Sequence, residues 1–107
     1  MGKLTTHVLD TASGNPAAGV RIRLLCGDKL LSEQNTNADG RCDQALLVDL
    51  EATEYKLLFS IGDYFRARGV PSPFLNEVPI VFTVEPDRDH HVPLVCSPYS
   101  YSTYRGS

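Results

Sequence analysis

The chain has 107 residues, a length typical of one compact domain, and we expect a single domain over residues 1–107. Ten Lys and Arg against 13 Asp and Glu give a formal net charge of -3, which argues against a nucleic-acid binder and against a protein that binds anionic membranes. The hydrophobic fraction of 42% and the charged fraction of 21% are typical of a folded globular chain, not of a disordered one.

The first half of the chain alternates apolar and polar residues with the period of two that β-strands have. Predicted strands there cover residues 4–10, 20–24, 29–34 and 41–45. Turns are predicted between them at Ser13-Gly14-Asn15-Pro16, at Gly27-Asp28 and over residues 35–40, where Asp39-Gly40 ends the turn.

The second half continues in the same way, with one exception. Predicted strands there cover residues 55–60, 78–84, 90–97 and 99–104. Residues 63–68 are the one helical candidate, because Gly69 and Pro71 follow them as stop signals. Short strands at regular spacing with turn signals between them favour an all-β sandwich with one short helix.

The cysteines bear on the cellular compartment. Cys26, Cys42 and Cys96 are an odd number without C-x-x-C spacing, so we expect three partly buried apolar side chains and no disulfide scaffold. The first residues lack the apolar region of an export signal, and no apolar run approaches the roughly 20 residues of a membrane-spanning helix. These features predict a reducing compartment, and we expect the cytoplasm.

Two histidines suggest a site. In a strand, His7 shares a face with Thr5 and Leu9, while His91 and His90 point to opposite faces. A histidine titrates near neutral pH and can move a proton, so His7 and His91 are candidates for proton transfer. A second interpretation stays open, two half-exposed histidines without a task, and spacing alone favours it.

Other kinds of site find no support in the sequence. His90 and His91 cannot easily reach one metal ion from opposite faces, and no H-x-H or H-E-x-x-H pattern is present, so we expect no metal. The nucleophile elbow G-x-S-x-G and the phosphate-binding glycine loops are also absent. We therefore do not expect a covalent serine or cysteine hydrolase.

Motifs at both ends and in the middle of the chain resemble those of a known protein family. These are Leu-Thr-Thr-His-Val-Leu-Asp over residues 4–10, Asp39-Gly40-Arg41-Cys42, and the stretch from His91-Val92-Pro93-Leu94 to Tyr104-Arg105-Gly106-Ser107. Together they resemble the transthyretin-like family over the whole chain. The closing tetrapeptide is typical of the hydrolase branch of that family and is absent from its hormone carriers.

The resemblance implies both an architecture and an activity. The implied fold is a transthyretin-like β-sandwich of two four-stranded sheets, assembled as a homotetramer with active sites in a central channel at the dimer–dimer interface. The implied activity is hydrolysis of a ring amide in 5-hydroxyisourate, within urate catabolism, without a metal or an organic cofactor. The alternatives are a small-ligand carrier of the thyroid-hormone type and a structural sandwich without catalysis.

The resemblance also implies site residues. The implied catalytic residues are His7, Arg41, His91 and Ser107. Substrate binding is expected from the same four residues together with Tyr104, Arg105 and Gly106. Either histidine can serve as general base, Arg41 suits a developing oxyanion, and Ser107 can orient a histidine or the water. For Arg105, substrate binding and anchoring of the chain end are both open.

Overall fold

The computed structural model of the chain describes residues 2–106. Its strands are β1 (Leu4–Thr5), β2 (Val8–Asp10), β3 (Asn15–Pro16), β4 (Arg21–Cys26), β5 (Lys29–Asn35), β6 (Glu54–Phe59), β7 (Val78–Thr83), β8 (His90–His91), β9 (Leu94–Cys96) and β10 (Tyr101–Thr103). The helix α1 (Ile61–Ala67) follows β6. Within residues 2–106, no helix is long and apolar enough to cross a membrane.

The strands form two four-stranded sheets, in the orders β10-β9-β2-β3 and β5-β4-β6-β7, with β1 and β8 as a further pair. The β1–β8 pair extends the parallel β2–β9 pair, because the amides of Val92 and Leu94 donate to the carbonyl oxygens of Thr5 and His7 at 3.0 and 2.8 Å. The expectation of two four-stranded sheets and one short helix is confirmed.

The core lies between the sheets and follows from strand alternation. One sheet contributes Ile22 of β4 and Leu57 of β6 to the core, and the other contributes Val8 of β2 and Leu94 of β9. All four side chains are fully buried. Each such side chain contributes about 1.5–3 kcal/mol relative to exposure. Because neighbouring side chains alternate, burial of Val8 turns His7 towards the outer face of its sheet.

The predicted strand over residues 41–45 is wrong. Only Arg41 pairs with another segment, in an isolated bridge to His7, and the following residues form a loop. The side-chain oxygen of Asn37 accepts the amides of Asp39 and Arg41 at 2.9 and 3.2 Å. These local bonds take up backbone donors that a strand would use, so the segment curves as a turn.

Asn15 and Pro16, predicted as part of a turn, instead form the edge strand β3 and pair with Asp10 and Leu9. A proline has no amide hydrogen to donate, and the edge of a sheet is a position that tolerates this.

Further boundaries differ from the prediction, and residues 4–10 form the two strands β1 and β2 instead of one. The helix begins at Ile61, two residues before the predicted start, because Ile61 and Gly62 are buried and extend its apolar face. Residues 90–97 form the two strands β8 and β9 instead of one. Pro93 lies between them and cannot donate a backbone hydrogen bond.

Candidate active site

An open cavity of about 580 Å³ lies where the β1–β8 pair meets the turn that carries Arg41 and the C-terminal segment. Its lining consists of Lys3, Thr5, Arg41, Asp89, His90, His91, Tyr104 and Gly106. The volume is within the range of about 300–1,000 Å³ that small-molecule sites usually have.

His7 lies between β1 and β2, and His91 lies in β8 of the neighbouring parallel segment. The carbonyl oxygen of His7 accepts the amide of Leu94 at 2.8 Å, which locks the segment of His7 to the strand that follows His91. Both side chains are half-buried. His91 lines the cavity, and His7 lies beside it as the backbone partner of Arg41.

A glycine turn brings Arg41 to this place. Gly40 has a positive φ of 74°, a conformation that favours glycine. A β-carbon at this position would lie 2.5 Å from the carbonyl oxygen of Val8 and 3.2 Å from Cδ2 of His7. The absence of a side chain therefore lets the turn pass directly beside His7. Asn37 closes the turn through its hydrogen bonds to the backbone and to the carboxylate of Asp43, the latter at 2.9 Å.

The C-terminal segment closes one side of the cavity. The amide of Gly106 donates to the carbonyl oxygen of His91 at 2.8 Å, and Tyr104 lines the cavity with 61% of its surface exposed. Arg105 instead lines an adjacent, mainly apolar groove of about 200 Å³ beside Ile80. Ser107, a predicted site residue, lies outside the described residues.

The electrostatic environment keeps His91 neutral. Burial lowers the pKa of its imidazole, and the charges of Arg41 and His7 lower the pKa further. A neutral imidazole can accept a proton at neutral pH. The lining carries the cations Lys3 and Arg41 and one carboxylate among its described residues, Asp89. This balance suits an anionic or carbonyl-rich molecule.

His90 has a different environment from its neighbour. It is 6% exposed, and its Nε2 accepts the backbone amide of Glu85 at 3.0 Å. This bond holds the loop before β8 against the strand. Among residues 2–106, no group of three or more His, Cys, Asp or Glu side chains could hold a metal ion.

Sequence reasoning missed four residues at the site. Lys3 and Asp89 meet because β1 and β8 are paired, and the amide of Lys3 donates to the Asp89 carboxylate at 2.9 Å. Asn37 organises the turn, and Thr5 contacts a ring nitrogen of His91 at 2.9 Å. Only Thr5 carried a usable signal, because it shares the strand face of His7.

Comparisons with known proteins agree on one family. Residues 4–106 match the model of the HIUase/Transthyretin family. A relative named 5-hydroxyisourate hydrolase from Mesorhizobium japonicum is 55% identical, over 99% of this chain and 93% of its own length. The solved structure of Klebsiella pneumoniae 5-hydroxyisourate hydrolase is 35% identical, with a TM-score of 0.90 and full coverage of both chains.

A transthyretin structure is also similar, at lower identity. Sea bream transthyretin in complex with thyroxine is 25% identical with a TM-score of 0.86, covering 97% of this chain and 94% of its own. The transthyretin-like fold that the sequence predicted is thus confirmed. Identity falls from the two hydrolases, at 55% and 35%, to the transthyretin, at 25%.

Proposed function

The chain belongs to the HIUase/Transthyretin family, and on that premise we propose that it is an enzyme that hydrolyses 5-hydroxyisourate in urate catabolism. The observation that carries the proposal is an open cavity lined by His91 and Arg41, with His7 beside it as the backbone partner of Arg41. This set contains groups for each need of amide hydrolysis, namely a proton acceptor, an oxyanion partner and a proton donor.

The first step is attack of water on a ring carbonyl carbon. The water oxygen forms a bond to that carbon while one of its protons passes to an imidazole. His91 is suited to accept the proton because its pKa is lowered and its ring is neutral at working pH. His7 is the second candidate, and the two histidines are close enough for their charges to interact. General base catalysis of this kind typically contributes about 10²–10⁴-fold to the rate.

The second step expels the ring nitrogen. The tetrahedral intermediate carries negative charge on the former carbonyl oxygen, and the guanidinium of Arg41 supplies a permanent positive charge with several donors for it. The carbon–nitrogen bond then breaks, and the imidazolium formed in the first step returns its proton to the leaving nitrogen. The product is 2-oxo-4-hydroxy-4-carboxy-5-ureidoimidazoline, and neither step calls for a metal or an organic cofactor.

The chain end completes the proposed site. Gly106 is bonded to the backbone of His91, which supports a role for the next residue, Ser107, in orienting a histidine or the water. Tyr104 lines the cavity and is proposed to contact the substrate. Arg105 faces the adjacent groove, which supports its role as an anchor of the chain end over direct substrate binding.

We propose that four copies assemble, with each cavity covered at the dimer–dimer interface. Support comes from the open side of the cavity on the outer face of its sheet and from Tyr104, Tyr101 and Val81, which are 61%, 44% and 60% exposed in the single chain. Large exposed apolar side chains of this kind often mark protein–protein contacts. Light scattering coupled to gel filtration will give the mass of four chains, and a monomer mass would contradict the assembly.

The compartment is a further proposal. Cys26, Cys42 and Cys96 are all free thiols, a state that a reducing compartment maintains. We therefore propose the cytoplasm, where cell fractionation will recover the protein.

The test of the activity follows the absorbance of freshly made 5-hydroxyisourate, generated from urate with a urate oxidase. Wild-type protein will accelerate the decay above its spontaneous rate. His7→Ala, His91→Ala and Arg41→Ala will each lower kcat by about 10²-fold or more while the protein stays folded. The matched control is Arg21→Ala, which removes an arginine paired with Glu33 at the surface of the other sheet and will keep the wild-type rate.

Decay at the spontaneous rate, from wild-type protein shown to be folded, would overturn the hydrolase proposal. Tight thyroxine binding by that same inactive protein would favour the carrier instead. The carrier has less support, because the chain is 25% identical to sea bream transthyretin and 55% identical to the Mesorhizobium relative.

A further inference from the structure

The hydroxyl of Thr5 is the partner of the His91 imidazole. Thr5 of β1 stands opposite His91 of β8 in the parallel register, and Thr5 Oγ1 lies 2.9 Å from His91 Nδ1. That distance is within the normal range for a hydrogen bond. Among the described residues, this is the one side-chain hydrogen bond of either group. Thr5 also lines the cavity, so its hydroxyl lies at the site itself.

The C-terminal segment packs against the opposite edge of the His91 ring. Gly106 packs so closely that a β-carbon there would lie 2.6 Å from His91 Cδ2. The ring therefore has Thr5 at Nδ1 and the chain end at Cδ2. Nε2 is the remaining nitrogen, and no group among residues 2–106 forms a hydrogen bond with it.

The hydroxyl of Thr5 can either donate or accept the hydrogen bond to Nδ1 of His91. Thr5 is exposed, so its hydroxyl can donate a hydrogen bond to solvent while its oxygen accepts a hydrogen bond from the ring. The cation Arg41 lines the same cavity and favours the neutral imidazole over the imidazolium. A neutral ring whose Nδ1 faces the oxygen of Thr5 fits the tautomer that carries its proton on Nδ1.

We propose that Thr5 is a positioning residue whose hydroxyl oxygen accepts a hydrogen bond from a protonated Nδ1 of His91, so that an unprotonated Nε2 faces the attacking water. The proposal deepens the hydrolase function and rests on it for its kinetic consequence. Its structural consequence, a single tautomer of His91, can be measured without any substrate. When Nε2 takes a proton from water, the bond from Nδ1 to Thr5 remains and steadies the imidazolium that forms.

The test is Thr5→Val, which replaces the hydroxyl by a methyl group of similar size. Nitrogen-15 NMR of labelled histidine will show one tautomer of His91 in the wild type, with Nδ1 protonated, and a mixture in Thr5→Val. In the 5-hydroxyisourate decay assay kcat will fall about 10- to 100-fold, by analogy with the loss of partners that orient metal-binding histidines. Thr5→Ser restores the hydroxyl and will recover both the tautomer and the rate.

The matched control is Thr11→Val. Thr11 Oγ1 donates to the carbonyl oxygen of Cys96 at 3.0 Å, at the other end of the same pair of segments and away from the cavity. This control loses a threonine hydroxyl of the same kind and will keep the His91 tautomer and kcat. If Thr5→Val does not fold, Thr5→Ala set against Thr5→Ser gives the same comparison.

Two results would overturn the proposal. One is an unchanged His91 tautomer in folded Thr5→Val, and the other is a changed tautomer with wild-type kcat. Failure of the hydrolase proposal is separate, because wild-type protein would then be inactive while the NMR comparison still reports on Thr5.

Discussion

Replacing Gly106 with alanine would place a methyl group against the ring of His91. The new β-carbon would lie 2.6 Å from Cδ2 and 3.1 Å from the carbonyl oxygen of His91. Non-bonded carbons normally approach to about 3.5–4.0 Å, so the ring or the chain end must retreat by roughly 1 Å. The carbonyl contact restricts the backbone, because it lies beside the 2.8 Å hydrogen bond from the Gly106 amide.

That displacement can be converted into a rate. Misplacing a catalytic group by about 1 Å can cost about 10²-fold in rate, or about 2.7 kcal/mol of transition-state stabilisation. We therefore expect Gly106→Ala to lower kcat/KM for 5-hydroxyisourate by about 100-fold. Thermal stability will change little, because Gly106 lies near the chain end and outside the apolar core.

The matched control is Gly14→Ala. Gly14 has a positive φ of 78°, with nothing within 4 Å of an added β-carbon. Alanine is strained in that conformation, by about 1 kcal/mol, so this variant will lose stability and keep the wild-type kcat/KM. The two glycines thus give opposite expectations for rate and melting temperature. A kcat/KM within threefold of wild type in Gly106→Ala would refute the steric reasoning.

Three further predictions concern pH, the turn and the core. The lowered pKa of His91 predicts that kcat/KM falls only as pH drops below the ordinary histidine value of about 6.5. The free energy of unfolding falls in the same pH window, because the unfolded state binds the proton more readily. A pH–rate profile with its midpoint above 6.5 would contradict this prediction. Asn37→Ala removes three side-chain hydrogen bonds of the turn, to the amides of Asp39 and Arg41 and to the carboxylate of Asp43. The placement of Arg41 will weaken and kcat/KM will fall about tenfold or more, whereas wild-type kinetics would show that the turn holds without these bonds. Tyr64→Phe removes a 2.9 Å hydrogen bond to the buried carboxylate of Asp10. The free energy of unfolding, measured by urea titration, will fall by about 2 kcal/mol. An unchanged value would mean that this hydrogen bond does not stabilise the fold.

Local signals in the sequence determined the strands and the faces of their side chains. Alternation around Val8 predicted which side chains are buried and therefore that His7 points away from the core. Asp39-Gly40 predicted the turn before Arg41, although the extent of the following strand was wrong. The motifs at both ends of the chain, with Asp39-Gly40-Arg41-Cys42 in its middle, were sufficient to identify the family. The same motifs predicted His7, His91 and Arg41 as site residues.

Pairing between distant segments was decided only by the tertiary structure. Thr5 and His91 are 86 residues apart in the chain, and their contact depends on the parallel register of β1 and β8. The alternation of apolar and polar residues along a strand predicts which face of the sheet a side chain lies on. It does not predict which residue of the neighbouring strand pairs with it, because the register between strands is set by the packing of both sheets together. The same reason explains why Lys3 and Asp89 joined the cavity without a sequence signal, while Arg105 came to face the adjacent groove.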